Sequence, residues 1–209
     1  EHMARYWLDL VRFADTNGMH KDFYRNSIAY RDWVIRAFNN NLGYDDFVRY
    51  QLAGDLFPDA NSDQLAASGF NRLHLIIDRG TALPEESFFK NVVDRVTAVG
   101  TTFMGMTVHC ASCHDHKFDP LTQKDFYSMF AFFNNIAEAG LGPNNGNSPP
   151  FIEVPKRWPI LSAEEAKFVV PAPMKIKVVQ TSVPRPQPGA TNTVMVLHEL
   201  PKPRDTYRL

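Results

Sequence analysis

Cysteine is nearly absent from this chain: 2 of 209 residues, Cys110 and Cys113, both inside one short stretch. With no second cysteine pair, a structural zinc site of the common two-pair kind is excluded. Charge of one sign is lacking too, since 22 Lys and Arg face 23 Asp and Glu for a formal net charge of -1. Without a basic field there is nothing to draw in a phosphate backbone, which argues against nucleic acid as a partner. Long apolar runs are missing as well. The longest are stretches such as Phe130-Ala131-Phe132-Phe133 and Val194-Met195-Val196-Leu197, far short of the roughly 20 residues that span a bilayer, so no transmembrane segment is expected in this fragment. No internal repeat, no Ser/His/Asp order and no Gly-rich phosphate loop offers a ready catalytic reading.

What is present suits a soluble globular chain, with 44% hydrophobic and 22% charged residues, enough for one substantial core plus a small appendage. The first residues, Glu1 to Trp7, read as the inside of an amphipathic helix, not as a signal peptide. The chain is therefore expected to be a piece of something longer.

Both cysteines belong to Cys110-Ala111-Ser112-Cys113-His114, the attachment pattern of a c-type haem. Two thiols three positions apart on one face of a helical turn add to the two porphyrin vinyl groups, and the adjacent His114 reaches the iron from the same side. Two other readings of the pair stay open. One is zinc or another divalent metal, with His116 and Asp119 completing a Cys/His/Asp cluster with Cys110 and Cys113, or with His114, His116 and Asp119 around a non-haem ion. The other is a redox dithiol, although such a pair normally opens a helix after a strand, and here a long helix precedes it. Covalent haem attachment requires export from the cytoplasm, so the motif predicts a periplasmic or secreted protein.

The apolar spacing is helical up to about residue 140. Met3, Tyr6, Trp7, Leu10, Phe13 and Ala14 line one predicted helix, ended by Asp15 to Gly18. Ser27 is the expected N-cap of a second, with Tyr30, Trp33, Val34, Ala37 and Phe38 as its stripe and Gly43 as its terminal glycine. A shorter helix over 44–56 and another after Asn61-Ser62-Asp63 follow. The longest periodic segment runs from Leu83 to Met104, with Pro84 in the first turn and Glu85 and Glu86 at the positive end of the helix dipole. Thr122 to Asp125 resembles a capping box, leading a helix rich in Phe126, Tyr127, Phe130, Phe132 and Phe133. Beyond it the composition turns to Gly, Asn and Pro over 141–155, a loop or linker. Residues 156–209 hold most of the 15 prolines, with short strands at 175–179 and 193–197. The expected fold is mainly α: an irregular multi-helix domain over 1–140 around the C-x-x-C-H site, with a small Pro-rich β appendage incomplete at its C-terminus.

Several separated segments together carry a family pattern: Ala4-Arg5-Tyr6-Trp7-Leu8-Asp9-Leu10, Phe13-Ala14-Asp15-Thr16-Asn17-Gly18, Tyr30-Arg31-Asp32-Trp33-Val34, Gln51-Leu52-Ala53-Gly54-Asp55, Val93-Asp94-Arg95-Val96, and Cys110 through Pro120. The chain resembles the planctomycete cytochrome C-like domain of unknown function, closely over about residues 1 to 155. Thr193 to Leu209 looks like that family's exit strand toward a further domain. The resemblance implies a mainly helical, haem-associated module of a secreted or periplasmic protein, often with another cytochrome-like domain upstream. It departs at Asp78-Arg79-Gly80, where the family tends to have Glu-Gly-Gly, and over Lys156 to Thr191.

With haem held by Cys110, Cys113 and His114, the sixth iron position decides the chemistry: Met favours a higher potential, a second His a lower one, and an empty site admits small molecules. His74 leads the distal candidates, ahead of His20, Met129, Met19 and His198. His116 is too near His114 in the chain to reach the opposite face, so it is expected to support a ligand, a propionate or a separate metal. Arg95 and Lys117 are candidate propionate partners. Asp15, Asp94 and Arg95, polar within apolar patterns, read first as buried ion pairs. The expected function is electron transfer with a redox partner protein or a neighbouring cytochrome domain. The alternatives are a haem oxidoreductase with an open iron site and a non-haem metal module serving polysaccharide breakdown.

Overall fold

A computed structural model describes residues 1–155, apart from 78, 79, 81, 144 and 145, together with the short segments 177–178, 196–197 and 206–208. The described body is mainly helical. Its elements are α1 (His2–Leu10), α2 (Ile28–Asn39), α3 (Tyr44–Ala53), α4 (Ser62–Ala67), α5 (Pro84–Val99) and α6 (Gln123–Phe133), with short 3-10 turns at Gly54–Leu56, Ser68–Arg72 and Val108–Ser112.

Helix α1 stops earlier than its apolar spacing predicts. Arg12 takes a left-handed φ of 61°, its amide bonds the Asp9 carbonyl, and its guanidinium pairs with Asp94 on α5 at 2.5 Å. The helix therefore rotates a different face inward: Ala4 is buried, as is Val11 just past its end, whereas Met3, Tyr6 and Leu10 are exposed. Tertiary anchoring of Arg12 overrides the longer stripe. At the end of α2 the expected terminal glycine is also displaced. Asn41, at φ 51°, takes the left-handed position, an uncommon but tolerated one for Asn, and Gly43 instead precedes α3.

The larger core joins α1 to α4 through aromatic side chains. Trp33 stacks on Phe47 with ring centroids 5.2 Å apart, and Trp7 meets Phe47 edge-on at 4.8 Å. Gln51, fully buried, takes hydrogen bonds from Tyr30 Oη (2.7 Å) and Trp7 Nε1 (3.1 Å) and donates to the Phe47 carbonyl (2.9 Å). Both polar atoms of the Gln51 side chain thus find partners, which burial demands.

The second, smaller core sits where α5 and α6 meet. Helix α5 opens with Pro84 at its start, carries Glu85 and Glu86 in its first turn, and widens at its end into a π turn, Gly100–Met104, closed by Gly105 at φ 63°. Helix α6 starts with the capping box foreseen at Thr122 and Asp125. Val96, Val108, Ala111, Leu121 and Phe126 fill the space between them. Among the described residues no helix is long and apolar enough to cross a membrane.

Residues 141–143 and 146–148 run in irregular conformation against the body, where Leu141 and Ser148 are buried. Two antiparallel strand pairs are described: β1 (Glu153–Pro155) with β4 (Thr206–Arg208), and β2 (Lys177–Val178) with β3 (Val196–Leu197). The remaining expectations for 156–209, including His198 as a ligand, lie outside the described residues, as do Asp78 and Arg79.

Candidate functional site

The C-x-x-C-H segment occupies the 3-10 turn Val108–Ser112 and the residues just after it. Its period of three divides the side chains by face. Val108 and Ala111 point inward and are fully buried, while Cys110, Cys113 and His114 are exposed and both thiols are free. Gly100 makes that seating possible, because a Cβ there would lie 2.5 Å from both Val108 methyl groups. The turn is also fastened to α6. Tyr127 Oη donates to the Ser112 carbonyl at 2.9 Å and Gln123 Nε2 to the same oxygen at 3.3 Å, while Asp115 accepts the Gln123 amide at 2.7 Å. That amide is one of the unpaired donors at the start of α6. The thiols are thus carried on a turn fixed from behind.

One ring nitrogen of His114 is engaged by the backbone of the next residue. Its Nδ1 lies 2.8 Å from the Asp115 carbonyl. A carbonyl oxygen only accepts, so Nδ1 carries the proton and Nε2 keeps its lone pair. No partner among the described residues occupies that nitrogen. Holding one imidazole nitrogen by a carbonyl so that the other can bind metal is the arrangement that orients ligating histidines. His116 differs: its Nδ1 is engaged by the Asp119 amide at 2.9 Å, with the Asp119 carboxylate 3.2 Å away. It closes the loop behind the motif and stands next to His114 without sharing a ligand set. Lys117 is exposed, with Nζ 5.2 Å from the Phe118 ring centroid, and Phe118 is 84% exposed. Among the described residues no three His, Cys, Asp or Glu side chains converge in a way that would hold a metal ion.

His74 and Arg95 are placed elsewhere, within a buried cluster. Arg95 gives Nη1 and Nη2 to the two oxygens of Glu138 (2.8 and 2.6 Å) and Nε to the Asn71 carbonyl (2.7 Å). Arg72 adds a second guanidinium on Glu138 at 2.6 Å. His74 donates from Nδ1 to the Leu75 carbonyl (2.9 Å) and takes a hydrogen bond from Arg95 on Nε2 (2.7 Å). With both nitrogens occupied and the residue 2% exposed, His74 has no lone pair to offer a metal. Burial, followed by the Arg95 charge, pushes its pKa well below the ordinary histidine value. Burial works to raise the Glu138 pKa, but the Arg95 and Arg72 charges outweigh it and hold the carboxylate far below its usual range. Arg95 is thus engaged in a buried ion network, and His74 carries a hydrogen bond on each ring nitrogen. Among the others, Met129 is half-buried against the core and Met19 is exposed.

The sequence offered no sign of the clamp formed by Tyr127 and Gln123, nor of Glu138 as the centre of the buried cluster. Asp115, within the motif itself, was the one member with a local cue. A family model described as PSCyt2, a protein of unknown function (DUF1549), matches residues 1–138. No curated protein and no solved structure matches the chain.

Proposed function

The chain belongs to the PSCyt2 family, and on that premise we propose that its C-x-x-C-H turn carries one covalent haem c and serves electron transfer in a periplasmic or secreted protein. The observation that carries this reading is the state of His114, exposed, with Nδ1 bonded to Asp115 and Nε2 left with its lone pair. The two free, exposed thiols beside it complete the donor set. Each thiol adds across one vinyl double bond, sulfur to one carbon and hydrogen to the other, so attachment needs no outside oxidant. Bound haem supplies one-electron chemistry at its iron. Phe118 and Lys117 offer an apolar side chain and a cation for the macrocycle and a propionate. The electron-transfer partner is a neighbouring cytochrome-like domain or a separate redox protein.

The test is to produce the chain in the periplasm with a cytochrome c maturation system and record a pyridine haemochrome spectrum after acid-acetone extraction. A c-type band that survives extraction is expected. Its absence from folded protein, beside a matured control cytochrome, would overturn the reading. Cys113→Ala is expected to abolish the two-thioether product.

The occupation of His74 by Arg95 favours a second reading of the same site, in which the sixth iron position is open and the domain is an oxidoreductase. It predicts a high-spin spectrum that shifts on adding imidazole. A low-spin spectrum without added ligand removes this second reading.

A further inference from the structure

Three guanidiniums, those of Arg25, Arg72 and Arg95, converge on one region, and among the described residues Glu138 is the carboxylate hydrogen-bonded to them. Arg72 and Arg95 share it. Arg25, 3% exposed, meets only carbonyls among the described residues: Nη1 donates to those of Arg72 (3.2 Å) and His74 (2.7 Å). Its Nε is buried with no hydrogen-bond partner among the described residues. Asp15, Asp22 and Asp94 favour its charge from a distance, but none is ion-paired with it, and Asp94 is held by Arg12. Burial and the neighbouring Arg72 charge pull the Arg25 pKa down to about 10. An unpaired buried donor and an uncompensated cation both cost stability unless something occupies the site.

A cavity is available there. It measures about 10 Å³ and is lined in part by Arg25, Arg72, Ser27, Asn147 and Ser148, room for a single atom-sized occupant. Ser27 is the N-cap of the 12-residue α2, its side chain makes no capping bond, and the first turn of that helix holds no acidic residue. The positive end of the helix dipole therefore has no carboxylate in its first turn, and its Ile28 amide is taken by the neutral Asn26 Oδ1. A water would satisfy one donor but leave the charge unmatched. We propose that this cavity is a binding site for one small inorganic anion of chloride size, held by Arg25 and Arg72 at the start of α2.

Binding to the folded state alone raises the unfolding midpoint by mass action. With the full chain at constant ionic strength and in one haem state throughout, replacing gluconate by chloride is expected to raise the midpoint saturably by roughly 3 °C. Arg25→Gln is expected to erase that difference. Should that variant fail to fold, Ser27→Asp supplies a carboxylate at the same place and is expected to stabilise the protein in gluconate while abolishing the chloride response. A bromide-soaked crystal is expected to show an anomalous peak beside Arg25. Equal midpoints in the two salts, a chloride response that survives either substitution, or water alone in the cavity would overturn the proposal. None of these readouts depends on the C-x-x-C-H turn, so this site and the haem reading fail separately.

Discussion

His74 and His114 begin with the same local device and end in opposite situations. Each places Nδ1 against the carbonyl of the next residue, Leu75 or Asp115, which puts a proton on Nδ1 in both rings. In His74 the remaining lone pair is taken by Arg95 inside a buried ion network. In His114 it faces outward beside two free thiols. The tautomer is a matter of local backbone geometry, whereas availability is decided by what the fold brings to the other nitrogen. In the buried cluster both nitrogens of the histidine are taken by the structure, whereas in the exposed one the His114 Nε2 has no partner among the described residues.

That contrast can be broken at its buried side first. Glu138→Ala leaves Arg72 and Arg95 without their shared carboxylate and is expected to destabilise the domain by about 3–5 kcal/mol, measured by denaturant unfolding. A loss near zero would show that the cluster is not the structural element it is taken to be.

Next comes the seat of the exposed turn. Gly100→Ala drives a methyl group into Val108 and is expected to cost about 1–3 kcal/mol by overpacking. If the turn depends on that seat, the variant also lowers the yield of covalent haem, whereas Glu138→Gln protein that still folds should not.

Acid sharpens the comparison through linkage. The His74 pKa is lowered on folding, so below the ordinary value the unfolded chain binds a proton that the folded one refuses. Stability is therefore expected to fall as pH drops through about 6.5. The Glu138 pKa is lowered too, so its contribution is complete above the ordinary carboxylate value and is lost as pH falls below about 4.3. Thermal midpoints across this range should show both phases. His74→Gln is expected to flatten the first and Glu138→Gln the second; an unchanged profile in either variant would contradict the assignment.

Two smaller effects complete the series. Thr122→Ala removes the N-cap of α6 behind the motif and should cost about 1 kcal/mol in unfolding free energy. Cys113→Ala in the haem-free chain is expected to change stability by no more than about 0.5 kcal/mol, because its side chain is exposed and makes no core contact. A larger loss would place the cysteine in the structure and not in the chemistry.

Features set by neighbours in the chain were legible without the fold. Asn61 and Thr122 both act as capping residues, since an N-cap needs only its own side chain and the amides two and three positions on. Pro84 opens α5 because its missing amide donor is not needed there. The motif at Cys110 fixes which residues share a turn. Where sequence reasoning missed, a distant contact had intervened: Arg12 meeting Asp94 ended α1 early and turned Met3, Tyr6 and Leu10 outward. The same holds for the ligand candidates, because nothing near His74 in the chain announces Arg95 or Glu138.

The sequence by itself determined the helical class, the helix starts and the chemical identity of the Cys110, Cys113 and His114 set, since each follows from interactions spanning a few residues. Only the tertiary structure decided that His74 has both ring nitrogens occupied while His114 Nε2 does not, that Arg95 is spent on Glu138, and that Arg25 lines a small cavity. Those outcomes depend on groups as far apart in the chain as Arg72 and Ser148, and chain entropy leaves such pairs unspecified until packing of the whole core brings them together.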